Sequence, residues 1–402
     1  MQKLTSTPLN EAIKLSQNLA DTKPLTQWIT ISLALGRVLA SKVVCQKNLP
    51  SFNNSALDGY AIRHSEAGKK LFIKDTIFAG QSKDGDLDNG ECFKIMTGAK
   101  IPKCADTIVA FEDAKLLTDG FVQMPQITKK GNAFRTKGEE LAEGETLFSK
   151  GTTIDSAVLA MLASQGISQI QVYKKITIGV FSTGDELREP WEEATCDEIY
   201  NVNSSSLIAL FAEHGFEADY CGVIPDSLEE SKRYFAGMKK YDVLVTTGGI
   251  SMGEADFVED ALLYNGLKPL FHGINIKPGR PTMIGKMDST IVASMPGNPL
   301  AAYVNAFLIL VPLLKKLQGC LEFEHKILKA KMAKELKVKP NRTNLVLGRY
   351  TNGEFFITGE NRYGSGMILP MVQSNALLVI SEEKNFIDRG EEINLIVFKG
   401  TF

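Results

Sequence analysis

The sequence predicts a multidomain α/β plus β protein, with a central doubly wound, mostly parallel α/β domain flanked by small β-rich domains. Three observations carry this. Between Ile176 and Leu317, short apolar runs alternate with helix-length segments, the pattern of a parallel sheet covered on both faces. From Cys45 to about Leu147, short β-prone runs are separated by Gly, Asp, Asn and Pro clusters, as in a small all-β module. After Gly319 the same texture returns and runs to Phe402.

Taken in order, Pro8 to Val44 has helical periodicity. Leu9, Ile13, Ala20, Leu33, Leu35, Val38 and Leu39 recur at helix-like spacing, with breaks at Pro24 and Gly36. The β-prone runs that follow are Leu71–Ile73, Cys92–Met96, Thr107–Phe111 and Phe121–Met124. A helix is expected over Thr153–Ser164 and a strand over Ile167–Tyr173. The alternating region then reads as strands Ile176–Phe181, Glu217–Ile224, Asp242–Thr246 and Thr290–Ser294. Helices are expected over Ser204–His214, Ser227–Lys239, Asp256–Tyr264 and Leu300–Leu317. The expected domains are 1–44 with 144–175 (a helical/β linker type), an inserted small β domain 45–143, the α/β domain 176–325, and a C-terminal β domain 326–402.

A chain of 402 residues with 44% hydrophobic and 23% charged content is long enough for two to four domains with a large core. A net charge of −2 and a pI near 6.2 exclude the broad electrostatic footprint of a nucleic-acid binder. A local basic pocket for a small anion stays open. The N-terminus has no basic region ahead of a clean apolar run, so no signal peptide is expected. The most apolar stretch, Ala306–Leu314, is short of a membrane span and contains Pro312. The six cysteines show neither CxxC spacing nor zinc-ligand intervals with histidine, which fits reduced thiols in a cytoplasmic protein.

Three strand ends carry the unusual residues, at the place where open α/β sheets bind ligands. They are Ser182-Thr183-Gly184-Asp185-Glu186, then Thr246-Thr247-Gly248-Gly249-Ile250-Ser251, and Met295-Pro296-Gly297-Asn298-Pro299. Small residues there let backbone N–H groups approach a phosphate at a helix N-terminus. Asn298 and Pro299 also fit an N-cap followed by a first-turn proline. Each segment alone reads equally well as a tight turn; three at one sheet edge point to a site. Neither GxGxxG nor GxxxxGK[ST] is present, which argues against a nicotinamide dehydrogenase and a P-loop kinase.

Lys277-Pro278-Gly279-Arg280-Pro281 adds two cations around a rigid turn, a candidate oxyanion site with a solvated basic turn as its alternative. Asp185, Glu186, Asp226 and Asp256 are candidates for Mg²⁺, which takes carboxylates together with substrate phosphates and water. Asp226 reads equally as a helix N-cap. Asp84, Asp86 and Asp88 imitate the opening of an EF-hand loop, but Asn89 and Ile95 occupy its Gly and Glu positions; a hairpin turn is expected instead. His64, His214, His272 and His325 show no ligand spacing.

These segments resemble the MoeA family, the molybdopterin molybdenumtransferases, which include the E domain of gephyrin. Gly36-Arg37-Val38-Leu39-Ala40, and Leu49-Pro50 through Asn54-Ser55-Ala56-Leu57-Asp58-Gly59-Tyr60-Ala61, are similar to the family's GRVLA and LP-x-F-x-NSA-x-DGYA. Ile95–Pro102 is similar to its I-x-TGA-x-[VI]-P. Ser182–Glu186, Thr247–Asp256, Ile276–Pro281 and Pro296–Pro299 match STGDE, [ST]GG-x-S-x-G-x-x-D, IKPGKP and PGNP. Weaker echoes follow in Gly364-Ser365-Gly366 and Ser374-Asn375-Ala376. The chain departs at Arg280 (a family lysine), Glu140 (commonly Asp) and Ala301 (often Ser).

The resemblance implies a MogA-like α/β domain, and adenylylated molybdopterin and molybdate as substrates, with molybdenum insertion coupled to Mg²⁺-dependent release of AMP. It places Asp58, Thr97, Glu186 and Asp256 among catalytic groups. Ser182, Thr183, Gly184, Thr247, Gly248, Gly249, Ser251, Pro296, Gly297, Asn298, Pro299 and Glu140 would bind the pterin nucleotide. Asp185, Glu186, Asp226 and Asp256 would serve Mg²⁺; Lys277, Arg280, Arg342 and Ser365 would serve molybdate. It also implies a cytoplasmic homodimer whose small β domain completes the partner's site, with other proteins of cofactor assembly as partners and neither nucleic acid nor membrane. Two other readings remain open at this point: an adenylyltransferase of the related α/β family acting one step earlier, and a largely non-catalytic scaffold.

Overall fold

The computed structural model describes residues 6–21, 24–81, 85–224, 227–250 and 257–398. The chain divides into two compact units. One comprises residues up to 40, 151–155 and from 169 onwards; the other comprises 41–150 and 156–168. In the first, helix α1 (Leu9–Asn18) buries Leu9, Ala12 and Ser16 along one face, with Ile13 partly buried beside them. The helical periodicity past Pro24 does not give a helix. Strand β1 (Thr26–Thr30) forms there instead, followed by one 3₁₀ turn over Ile31–Leu33. The β-branched Thr-Gln-Trp-Ile-Thr segment alternates in exposure. Leu33 and Leu35 stay 70% and 66% exposed, so their spacing marked no buried face.

The second unit holds a six-stranded sheet. Its strands include β2 (Gly59–Ile62), β3 (Lys70–Ile77), β4 (Glu91–Ile95), β5 (Thr107–Ala110) and β6 (Phe121–Gln123). The order is β5-β2-β4-β3-β6, with Lys115–Leu116 at the edge. Ala61, Ile77, Phe93, Ile95 and Ile108 form a core on one face, and Tyr60, Ile62, Leu71, Val109 and Val122 on the other. Strands β3 and β4 run parallel, with Phe72 beside Glu91. The connection through Asp86 and Asp88 is therefore a crossover and not the expected hairpin; Asp84 lies outside the described residues. Helix α2 (Ser156–Ser164) follows. The Gln165 carboxamide oxygen accepts from the N–H groups of Gln46 (2.9 Å) and Lys47 (3.1 Å), fixing the helix end.

The rest belongs to the first unit. Strand β7 (Gln169–Tyr173) pairs antiparallel with β1. Then come β8 (Ile178–Thr183), α3 (Val202–Glu213), β9 (Ala218–Ile224), α4 (Leu228–Gly237), β10 (Val243–Thr247) and α5 (Phe257–Tyr264). Strands β11 (Leu267–His272), β12 (Met283–Met287) and β13 (Thr290–Met295) complete a sheet of order β9-β8-β10-β13-β12-β11. The first four strands are parallel, and β12 and β11 add an antiparallel edge. Val243 and Val245 face α3 and the last helix of this domain, while Leu244 faces α4 and α5. Burial on both faces is why β10 opens with the unbroken apolar run Val243–Val245.

The last helix of the α/β domain, α6 (Pro299–Leu317), is 19 residues long and, by length and composition, apolar enough to cross a membrane; 89% of its most apolar window is buried inside the protein. It runs through Pro312, as the helix expected over Leu300–Leu317 requires. Ala306–Leu310 wind as a π-turn, with the Val311 N–H reaching Ala306 O. In that register the Phe307 carbonyl would need the N–H that Pro312 lacks. His325 supplies the donor instead, through Nε2 at 2.8 Å.

The C-terminal strands are β14 (Ile327–Met332), β15 (Thr343–Thr351), β16 (Glu354–Ile357), β17 (Ala376–Ile380) and β18 (Glu392–Val397). They close in the order β15-β16-β14-β18-β17 and back to β15, a small barrel around Val346, Phe355, Leu378 and Leu395. A short parallel pairing of Ile276–Lys277 with Thr343–Asn344 joins the α/β domain to this barrel.

Candidate functional site

The three singled-out segments follow β8, β10 and β13, which are neighbours in the sheet and end on the same side. The Gly248 N–H donates to Met295 O at 3.2 Å, and Gly297 lies against Gly248. Gly248 and Gly249 have φ of +86° and +64°, the left-handed region that favours glycine. A Cβ on Gly249 would stand 2.3 Å from Val258 Cγ2, so this turn has no room for a side chain. Asn203, in the first turn of α3, donates through Nδ2 to Gly297 O at 2.7 Å. The result is a crevice floor of fixed backbone.

Three residues expected to bind a ligand direct their hydroxyls inward. Ser182 is fully buried, its hydroxyl within 2.8–3.0 Å of Ser204 Oγ, Asn201 Oδ1 and Thr247 Oγ1. Thr247 is 1% exposed, and Thr183 Oγ1 donates to Thr247 O at 3.3 Å. These hydroxyls point into the sheet and toward the α3 N-terminus and lock the strand ends together. Asn298 holds the N-cap position of α6 with Pro299 at N1, but its side chain caps no amide. Its Nδ2 donates to Ser365 Oγ at 2.9 Å.

Beside Pro296 and Asn298 opens a cleft of about 380 Å³ that Lys277, Arg280, Arg342 and Ser365 all line. Its lining carries three cations and no carboxylate. None of the three forms an ion pair among the described residues. The parallel pairing of Lys277 with Asn344 brings Arg342 alongside the Lys277–Pro281 turn. Ser365 is held by its own carbonyl, which accepts from the Leu300 N–H at 3.1 Å. Tyr363 also lines the cleft; burial pushes its hydroxyl up to about 12, so it stays neutral. Three cations, a hydroxyl and no carboxylate have the donor chemistry to pair with a compact oxyanion.

Asp185 and Glu186 follow β8 directly and are exposed. The Glu186 carboxylate stands over Gly184, within 2.9 Å of where a Cβ would lie. Among the described residues no group of three or more His, Cys, Asp or Glu side chains could hold a metal. Asp226, Ser251 and Asp256 lie outside the described residues. Two adjacent carboxylates still match the donor set of Mg²⁺, which completes its shell with substrate phosphate and water.

In the second unit, Asp58 precedes β2 and Thr97 follows β4. These strands are antiparallel, with Gly59 opposite Ile95, so both residues fall at one end. The Thr97 N–H and hydroxyl both donate to Asp58 Oδ1, at 2.7 and 2.8 Å. These two bonds hold the Asp58 carboxyl below the usual aspartate range. Glu140 is 3.8 Å from Arg135, which also binds Glu139 at 3.1 Å.

Three contributors escaped the sequence reading. Asn203 and Asn305 hold loops of the site, and Tyr363 lines the cleft. Only Asn305 left a signal, as a lone amide within an apolar helical run.

Residues 7–166 match the MoeA N-terminal region (domains I and II), 179–316 a probable molybdopterin-binding domain, and 329–398 the MoeA C-terminal region (domain IV). A Haemophilus influenzae protein named molybdopterin molybdenumtransferase is 30% identical over 380 residues, covering 93% of this chain and 94% of that one. A Staphylococcus epidermidis protein of the same name is 28% identical over 410 residues, covering 99% and 97%. The crystal structure of a molybdopterin biosynthesis MoeA protein from Pyrococcus horikoshii superposes with a TM-score of 0.86 at 28% identity, covering 98% of this chain and all of that one.

Proposed function

This chain belongs to the MoeA family, the molybdopterin molybdenumtransferases, and from that premise we propose that its three-cation cleft receives the molybdate it inserts. The protein is an enzyme of molybdenum cofactor biosynthesis that transfers molybdenum to molybdopterin. The observation that carries the finer reading is the convergence of Lys277, Arg280, Arg342 and Ser365 on one acid-free cleft. Molybdate is a tetrahedral dianion, and three fixed cations with a hydroxyl match its charge and its oxygens.

The pterin substrate in this reading is adenylylated molybdopterin. Its anhydride lies on the Gly248–Gly249 and Gly297 backbone, where N–H groups and the α6 N-terminus favour phosphate. Asp185 and Glu186 would hold Mg²⁺, with Asp256 and Asp226 as further candidates; bound there, the ion neutralises charge on the phosphate oxygens. Glu186 orients the attacking water. Water adds to one phosphorus as the bridging P–O bond breaks, giving AMP and the pterin phosphate. Lys277, Arg280 and Arg342 meanwhile hold molybdate for the dithiolene. Positioning and charge neutralisation do most of the work in such chemistry.

A cytoplasmic homodimer belongs to the same proposal, with Asp58, Thr97 and Glu140 completing the partner's site. Helix α2 supports a second copy: its sequence is Ser-Ala-Val-Leu-Ala-Met-Leu-Ala-Ser, yet only Leu162 is buried within one chain. The test is AMP release from adenylylated molybdopterin with Mg²⁺, with and without molybdate. Molybdate-dependent release, lost in Asp58→Ala and Glu186→Ala, is expected. Release that ignores molybdate or survives both substitutions defeats the proposal. Consumption of ATP and molybdopterin would mark an adenylyltransferase.

A further inference from the structure

We propose that Asn305 is the positioning residue for the Lys277–Pro281 turn and sets the enzyme's affinity for molybdate without touching it. Asn305 is fully buried in α6 and does not line the cleft. Its helix neighbours Val304, Ala306 and Phe307 are buried apolar residues. Its Nδ2 donates to Gly279 O at 2.8 Å and to Thr282 Oγ1 at 2.7 Å, and Thr282 Oγ1 donates to the same Gly279 O at 3.0 Å. The Asn305–Thr282 pair thus clamps the carbonyl at the tip of the turn.

The fit leaves no slack. Gly279 has φ of +99°, and a Cβ there would stand 2.4 Å from Asn305 Nδ2. Lys277 lies two residues before Gly279 and Arg280 directly after it, so a shift of this carbonyl moves both cations. The Arg280 carbonyl is fixed in turn by the N–H groups of Ile274 and Thr282, each at 2.9 Å.

An amide is a poor choice for core stability at this place. Asn305 Oδ1 is buried without a hydrogen-bond partner among the described residues, and an unsatisfied buried acceptor destabilises a fold. A leucine would fill similar space without that cost. What the amide contributes is the geometry of the turn.

The inference rests on the cleft being the molybdate site, so the experiment separates the two. AMP release is measured against molybdate concentration for the wild type, Asn305→Leu, Asn305→Ser and Lys277→Ala, with thermal midpoints for each. In Asn305→Leu, half-saturation by molybdate is expected to rise about tenfold or more, while kcat at saturating molybdate and KM for the pterin nucleotide stay within about twofold. Asn305→Ser keeps one donor and is expected to recover part of that affinity. If Lys277→Ala weakens molybdate but neither Asn305 variant does, the inference falls and the cleft reading stands. If Lys277→Ala also leaves molybdate unaffected, the cleft reading falls. A uniform loss of kcat, both affinities and thermal midpoint in both Asn305 variants would make the residue merely structural and overturn the proposal.

Discussion

Asn298 Nδ2 donates to Ser365 Oγ at 2.9 Å, tying the loop ahead of α6 to the C-terminal barrel. Because the Ser365 oxygen accepts that bond, its own proton is left to donate into the cleft. Ser365→Ala should therefore remove one donor to the oxyanion and weaken molybdate binding by about 1 kcal/mol, roughly fivefold. A molybdate titration followed by calorimetry checks this. Equal affinity in the variant would mean the hydroxyl faces elsewhere.

Asp58 owes its low pKa first to the Thr97 N–H and then to the Thr97 hydroxyl. Thr97→Val keeps the first bond and removes the second. The Asp58 carboxyl should then titrate at higher pH than in the wild type, seen as a displaced carboxyl-carbon chemical-shift curve. The acid limb of the activity profile should move in the same direction. An unmoved curve would remove the hydroxyl from the account.

Gly249→Ala combines a left-handed φ of +64° with a Cβ 2.3 Å from Val258 Cγ2. The variant should lose about 2 kcal/mol or more in denaturant unfolding. Adding Val258→Ala relieves the clash but not the backbone strain, so partial recovery is expected. Full recovery would show that the left-handed conformation costs nothing here.

His214 and His325 flank Phe307, with ring centroids at 5.9 and 4.2 Å. Burial lowers both imidazoles from 6.5 to about 4, with the charge of Lys315 adding to the effect. Between those values the unfolded chain binds more protons than the folded one. The stability they confer is therefore complete above about pH 6.5, declines as the pH falls toward about 4, and changes no further below that. Denaturant midpoints across this range should fall on acidification, and His325→Gln should make the fall roughly half as steep. An equally steep fall would assign it to other groups.

Much of this was legible in the sequence, and what was not has physical reasons. Strands β8 and β10 announced themselves because burial on both faces keeps Ile178–Phe181 and Val243–Val245 free of polar side chains. The antiparallel strands β11, at the edge, and β12 beside it were hidden because Lys268, Pro269 and Lys286 interrupt their apolar pattern. The Gly248–Gly249 and Gly297 turns stood out by composition. Ser182 and Thr247 did too, yet strand alternation turns their hydroxyls inward, and composition carries no side-chain direction. Lys277 and Arg280 were visible between prolines. Arg342 joins them through a strand pairing between Ile276 and Thr343, distant in sequence, so only family resemblance reached it. Asp58 and Thr97 meet through antiparallel register, which no local pattern encodes.

The most direct test of the cleft is equilibrium binding of radiolabelled molybdate to the purified wild-type chain and to Arg342→Ala. About one molybdate per chain is expected, with affinity reduced about tenfold or more in the variant, because a cation facing an acid-free pocket is removed. Equal binding by the two proteins would contradict the assignment of this cleft to molybdate.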